Sequence, residues 1–326
     1  MKPSSYRPSP TLLLLALLLL TGRVTLAQTP LVFSPHWLPQ AQFAGYYMAQ
    51  AKGYYQEAGL EVSIKHPSAS VQATQMLLSG EADVISLFLM TGMKVAGANP
   101  GLVHIAQMSQ HASMVLVTKK SSGIDALEKL NGKRVAIWKS GFDETPKSLM
   151  IERKIDVEWI PVLSSVNLFT TGGVEAMTVM WYNEYDQIVN CGIDEEEMNS
   201  FFLKDYGYDI PEDALFCLVD SLRTKKEALA AFAKASVKGW EYASAHKEET
   251  LDTVIRIMRE HHIPANRAHQ SWMLDKVVTL MEPETKQVEK GVIAPSDFEK
   301  AGEVLVRSGH LTTAPEKARF LHPLIP

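Results

Sequence analysis

From Leu31 onward the chain alternates between two rhythms. Short apolar runs bounded by glycine or proline read as strands, and segments whose apolar residues recur every three or four positions read as helices. Leu60, Val62 and Ile64 alternate with Glu61 and Ser63 directly after Gly59, which predicts a strand following a helix that ends in glycine. The runs 82–87, 134–138 and 176–181 repeat that arrangement, each after a short helix ending at Gly80, Gly132 or Gly173. Strands interleaved with helices in this way predict an α/β protein with mostly parallel sheets. The last third changes rhythm. Leu229, Phe232, Ala233, Ser236, Val237 and Trp240 form one helical face, and Leu251, Val254, Ile255 and Met258 form another. Ser296 heads a capping box with Glu299, and Gly309 marks the end of that helix.

Two apolar strand-like segments, 113–120 and 214–222, bracket a section with its own strand and helix alternation. The chain is therefore expected to build one lobe, cross to a second and return. Residues 28–117 and 220–326 form the first lobe in this reading and residues 118–219 the second, each lobe a mostly parallel sheet flanked by helices. Such a layout leaves a cleft between lobes, a favoured place for ligands.

The first 27 residues stand apart. Lys2 and Arg7 precede the almost unbroken apolar run 12–20, and Thr25-Leu26-Ala27 offers a small-residue cleavage site, so residues 1–27 read as an export signal cut near Ala27. The apolar run is short for a membrane span. The expected product is a soluble, periplasmic protein. The whole chain carries a formal charge of −5, and removing Lys2, Arg7 and Arg23 takes it to −8 because no acid precedes residue 28. That balance argues against nucleic acid or an anionic membrane as partner. Cys191 and Cys217 are the only cysteines, which excludes a disulfide-dense scaffold; they could pair with each other, and spacing alone does not decide it.

Metal and catalytic chemistry leave little trace. The ten histidines are scattered, no H-E-x-x-H spacing occurs, and no metal is expected. Neither a G-x-S-x-G elbow nor a phosphate-binding glycine loop is present, so no catalytic residue and no cofactor are assigned. Binding chemistry is more visible. The stretch "HWLPQAQFAGYYMAQAKGYY" (36–55) opens in a loop after a strand, since residues 34–40 contain two prolines, which places His36 and Trp37 at a strand's C-terminal end, where open α/β sheets bind ligands. Tyr54 and Tyr55 read as core. In "MWYNEYDQI" (180–188) the strand ends near Trp181, Asn183 is a natural helix N-cap, and Glu184 follows, expected to stay ionised at the positive end of the helix dipole. With Trp181 and Tyr182 alongside, a flat heterocycle could stack while Glu184 accepts from its amino group. In "WKSGFDETP" (138–146) Ser140 and Gly141 offer a hydroxyl and a backbone N–H, with Thr145 as N-cap and Pro146 as first helical residue. The candidate ligand-binding residues are Trp37, Gln40, Tyr47, Ser86, Ser140, Gly141, Trp181, Tyr182, Asn183 and Glu184.

The motif "HWLPQAQFAGYYMAQAKGYYQEAGLEV", followed in order by "LLSGEADV", "LEKLNGKRVAIW" and "WYNEYDQI", resembles the thiamine-pyrimidine branch of the nitrate/sulfonate/taurine-type periplasmic binding proteins. The resemblance runs over nearly the whole chain after residue 27. It implies a type II-like periplasmic binding fold, a monomer, and delivery of a small ligand to the permease subunits of an ABC transporter. It also implies that the ligand is a thiamine-precursor aminopyrimidine. Trp37 matches the tryptophan of the first motif, and Asn183 and Glu184 match the later Asn-Glu pair. The chain departs from the pattern at His36, Gln42 and Phe43, where relatives often carry Asp and an Asn-His pair, so polar contacts to the ligand differ. The rival readings are a sulfonate, nitrate or taurine binding protein and a pyrimidine-synthase-like enzyme. The synthases carry a cysteine-rich C-C-C-F-C motif, which this chain lacks.

Overall fold

The computed structural model describes residues 28–68, 70–139, 142–163, 165–282 and 288–325. The proposed export signal lies outside them. Along the chain come β1 (Thr29–Ser34), α1 (Ala44–Ala51), β2 (Leu60–Ile64), α2 (Ala73–Leu78), β3 (Val84–Phe88), α3 (Leu89–Ala98) and β4 (Leu102–Gln107). There follow β5 (Met114–Lys119), β6 (Arg134–Trp138), α4 (Glu144–Arg153), β7 (Glu158–Val162), β8 (Ala176–Met180), α5 (Glu184–Asn190) and β9 (Met198–Phe202). After β10 (Asp213–Leu218) the chain is helical: α6 (Val219–Ala245), α7 (Lys247–Glu260), α8 (Arg267–Leu280) and α9 (Pro295–Arg307).

The strands form two five-stranded sheets, ordered β2-β1-β3-β10-β4 and β7-β6-β8-β5-β9. In each, four strands run in the same direction and the fourth strand in the order is antiparallel to both neighbours. The expected two-lobed α/β fold is what the protein has. The boundaries differ from expectation: β5 belongs to the second sheet and β10 to the first, so the crossings lie between β4 and β5 and between β9 and β10. Both strands are almost wholly buried. A run buried on both faces carries no alternation to show which sheet it joins.

Local expectations hold unevenly. β2 buries Leu60 and Val62 and exposes Glu61 and Ser63, as an alternating strand should. Gly59 and Gly80 take left-handed φ values of 75° and 81° at helix ends, while in the third turn it is Gly172, not Gly173, that does so. On α6, Leu229, Phe232, Ala233, Ser236 and Trp240 are buried. Helix α9 starts at Pro295 with Ala294 in the cap position, so the Ser296 capping box does not form; proline in the first turn starts a helix well without it. Likewise α4 begins at Glu144, ahead of Thr145 and Pro146. Cys191 is exposed and Cys217 buried, both free. Among the described residues no helix is long and apolar enough to cross a membrane.

The first lobe's core is aromatic. Phe33, Tyr46, Tyr55 and Phe232 meet ring to ring, and the Tyr55 hydroxyl lies 3.0 Å from Ser236 Oγ. Helix α1 packs against α6 so closely that a Cβ on Gly45 would overlap the Trp240 ring, and one on Gly239 would overlap the Gly45 carbonyl. This contact holds the start of α1, and with it the loop that precedes it.

Candidate ligand-binding site

Loops at the C-terminal ends of β1, β6 and β8 face one another across the lobes and line a cleft. His36, Trp37, Gln40 and Gln42 form one wall; Trp138, Phe142, Met180, Tyr182, Asn183 and Glu184 form the other.

The first wall is a chain of polar groups bonded to one another, with Asp213 Oδ1, 3.4 Å from His36 Nδ1, left without a hydrogen bond among the described residues. Ser86 Oγ, on β3, accepts the His36 backbone N–H at 3.1 Å and lies 3.0 Å from His36 Nδ1. Gln42 Nε2 reaches His36 Nε2 at 3.2 Å and donates to Asp213 Oδ2 at 3.2 Å, while Gln40 Nε2 donates to Gln42 Oε1 at 2.7 Å. Because Gln42 offers a donor to Nε2, the imidazole proton sits on Nδ1. Burial pushes the His36 pKa down to about 3, so the ring is neutral at physiological pH. Burial pushes Asp213 up to about 7, and Glu212, bonded by Ser113 N–H and Oγ, up to about 8.

The second wall centres on an acid. Strand β8 is buried throughout and ends at Met180, so the turn 181–183 delivers Glu184 to the first position of α5. Its Oε2 accepts the Met180 N–H at 2.9 Å and its Oε1 accepts from Asn183 Nδ2 at 2.6 Å. A carboxylate has about four acceptor sites, so capacity remains for a ligand's donors. Glu184 is 2% exposed. Burial pushes its pKa up to about 7, outweighing the hydrogen bonds from the Met180 and Glu184 backbone and from Asn183 that favour the charge. The expectation of an ordinarily ionised, dipole-stabilised carboxylate is thus corrected: desolvation is the larger effect. Asn183 holds the cap position without capping; its side chain serves Glu184 instead. Tyr182 is buried beside this acid, and burial raises its hydroxyl far above the usual phenol range. The Trp138 indole N–H has no partner among the described residues. Phe142, at a left-handed φ of 66°, packs edge-on against Phe88 at 4.8 Å. Such a backbone is costly for a non-glycine residue and marks a position held by its surroundings.

Of the expected residues, Trp37, Gln40, Tyr182, Asn183 and Glu184 meet in the cleft. Ser86 stands behind His36 and orients it. Tyr47 is buried; its hydroxyl lies 2.9 Å from His66 Nε2, and His66 Nδ1 lies 2.7 Å from the Trp37 carbonyl, so it supports the loop from beneath. Trp181 faces away, edge-on to Phe202 at 5.6 Å and under the Lys276 ammonium at 4.5 Å. Consecutive residues in a turn point to different sides, and Tyr182 takes the inward one. Ser140 and Gly141 lie outside the described residues. His36, Gln42, Trp138, Phe142 and Met180 line the cleft although they were not among the candidates. For His36 and Gln42 the signal was present, since both occupy departures from the motif; Trp138 and Phe142 lie in the 138–146 stretch singled out for its turn. Elsewhere, Asp143, Glu144 and His310 bring possible metal-ligand atoms within 4.8 Å of one another, but Lys147 and Lys94 already pair with the two carboxylates.

Residues 40–250 match the family described as NMT1/THI5 like. The chain belongs to this family. A Haemophilus influenzae protein named for thiamine biosynthesis is 26% identical over 226 residues, 67% of this chain and 70% of that protein. The 4-amino-5-hydroxymethyl-2-methylpyrimidine phosphate synthase of Aspergillus parasiticus is 26% identical over 106 residues, 32% of this chain and 31% of the synthase. Among solved structures, the periplasmic aliphatic sulphonate binding protein of Escherichia coli superposes with a TM-score of 0.67 at 13% identity, over 89% of this chain and 91% of that one. The ligand-binding component of an ABC-type import system from Staphylococcus aureus gives 0.66 at 14% identity, over 91% and 97%. At these identities the superpositions establish the fold, that of the periplasmic binding proteins.

Proposed function

We propose that this NMT1/THI5-like chain is the solute-binding component of an ABC importer, exported to the periplasm, and that its lobes hold a thiamine-precursor aminopyrimidine. The observation that carries the reading is Glu184, a buried carboxyl with two of its acceptor sites filled, facing a cleft walled by Trp37, Trp138, Phe142 and Tyr182. A planar ring gains apolar burial from those side chains, and its amino group donates to the acceptor sites that remain on the acid. The relative named for thiamine biosynthesis and the pyrimidine phosphate synthase support the same ligand class. A sulfonate or nitrate fits poorly, because no lysine or arginine is among the described residues lining the cleft and Glu184 would repel an anion.

The test is titration calorimetry of the mature protein with 4-amino-5-hydroxymethyl-2-methylpyrimidine, thiamine, taurine and an alkylsulfonate, with Glu184→Gln in parallel. Binding of the aminopyrimidine that collapses in the variant is the expected result. Binding of anions alone, indifferent to the substitution, overturns the assignment. Recovery of the bound molecule chemically unchanged separates a binding protein from a synthase-like enzyme.

A further inference from the structure

Helix α8 lies beyond the residues that match the family, yet it touches both walls of the cleft through two neighbouring side chains. Its first turn is anchored by Asn266, whose Oδ1 accepts the N–H groups of Ala268 at 3.0 Å and His269 at 3.3 Å. Consecutive helical residues project about 100° apart, so His269 and Gln270 point to different lobes. Gln270, 3% exposed, accepts the Ala41 N–H at 2.7 Å and so holds the short helical turn Ala41–Phe43 that follows Gln40. His269 turns to the second lobe. Its Nδ1 lies 2.6 Å from Asp186 Oδ2 and its Nε2 3.1 Å from Asn183 Oδ1, with the His269 and Asp186 side chains 14% and 13% exposed.

Asn183 is the same residue that donates to Glu184 Oε1 at 2.6 Å. Glu184 demands the nitrogen end of that amide, which turns the oxygen end toward His269 and toward Gln187, whose Nε2 donates to it at 2.9 Å. One turn further along α8, the Trp272 indole N–H donates to the Trp181 carbonyl at 2.9 Å, and its ring stacks at 6.1 Å on Tyr185. The helix therefore grips α5 and the turn that leads into it, at Trp181, Asn183, Tyr185 and Asp186.

We infer that α8 is a bracket that sets the spacing of the two cleft walls, with His269 a positioning residue that aims Glu184 through Asn183. This rests on the reading that Glu184 holds the ligand. A ligand spanning two walls binds tightly only when both are already in place, because every group ordered on binding subtracts from the affinity. A lone exposed contact would do none of this; a half-buried hydrogen-bonded pair that also orients a binding carboxylate does.

The test combines calorimetry with 4-amino-5-hydroxymethyl-2-methylpyrimidine and X-ray scattering, on the wild type, His269→Ala, Asp186→Ala and the double variant, with melting temperatures recorded. Each single substitution is expected to weaken binding about tenfold, as loss of a charge-assisted hydrogen bond does, chiefly by faster dissociation. The double variant is expected to be no weaker than the singles, since both remove one link. His269→Gln, which keeps a donor toward Asn183, should recover part of the loss and serves as the test if His269→Ala fails to fold. Unchanged affinity in His269→Ala overturns the inference, as do losses that simply add in the double variant. If the wild type binds no aminopyrimidine, the proposed function fails on its own. The bracket is then decided by scattering of the ligand-free protein: a larger radius of gyration in His269→Ala supports it, and an unchanged radius overturns it.

Discussion

The loops after β1 and after β8 both leave the C-terminal end of a parallel strand, both carry aromatic residues, and both lead into a short helix. Their buried polar groups are nonetheless opposites. After β1, His36, Gln40, Gln42 and Asp213 spend their hydrogen bonds on one another, and the ring is neutral. After β8, Glu184 has two partners and room for more. The difference shows how a protein separates support from recognition. A polar network closed largely on itself fixes the shape of a wall, and a buried acid with acceptor sites to spare selects what enters.

The largest effect expected is on the recognition side. Glu184→Gln removes the carboxylate while preserving size, and should weaken aminopyrimidine binding about a hundredfold, the loss typical of one half of a buried charged hydrogen bond. Calorimetry that shows equal affinity would erase the distinction between the walls. On the support side, Gln42→Leu strips partners from His36, Gln40 and Asp213 together, and denaturant unfolding should show a loss of about 2 kcal/mol, as for buried polar groups left unpaired. A variant as stable as the wild type would mean that this network is not what holds the first wall.

The two tryptophans sharpen the contrast at smaller cost. Trp37, 41% exposed at the rim, should contribute about 1 kcal/mol of stacking to binding, so Trp37→Ala reduces affinity several-fold with little change in stability. Trp181→Ala should leave affinity unchanged, because that ring packs on Phe202 and Lys276 outside the cleft. Paired titrations showing the reverse order would place the wrong ring at the ligand.

Acidity should reach two sets of buried groups at opposite ends of the pH scale. His36, His66 and His104 are pushed by burial down to about 3, 4 and 4, so their contribution to stability is lost as pH falls below the ordinary histidine range toward those values. Glu184, Asp213 and Glu212 are pushed up to about 7, 7 and 8, so folding binds protons there and stability falls as pH rises from the ordinary carboxylate range through those values. Melting temperatures should therefore be lower near pH 8.5 and near pH 4 than between them. Glu184→Gln should soften only the alkaline fall.

Much of the architecture was legible in the sequence because it depends on local rules. Alternation in β2, the helical face of α6 and the glycines at helix ends follow from side-chain period and φ preference alone. The motif around Trp37 and the Asn183-Glu184 pair also pointed to the two loops that meet in the cleft. Tertiary structure decided the rest. Whether β5 and β10 join the first or the second sheet depends on partners distant in sequence, such as Thr118 with Ala176 and Phe216 with Ile85, and a strand buried on both faces does not declare them. Tyr182 rather than Trp181 faces inward because of how α5 and α8 pack around that turn. The protonation of Glu184 and the neutrality of His36 depend on the depth of burial, a property of the closed fold. So does the reach of His269 to Asn183, across 86 residues of chain.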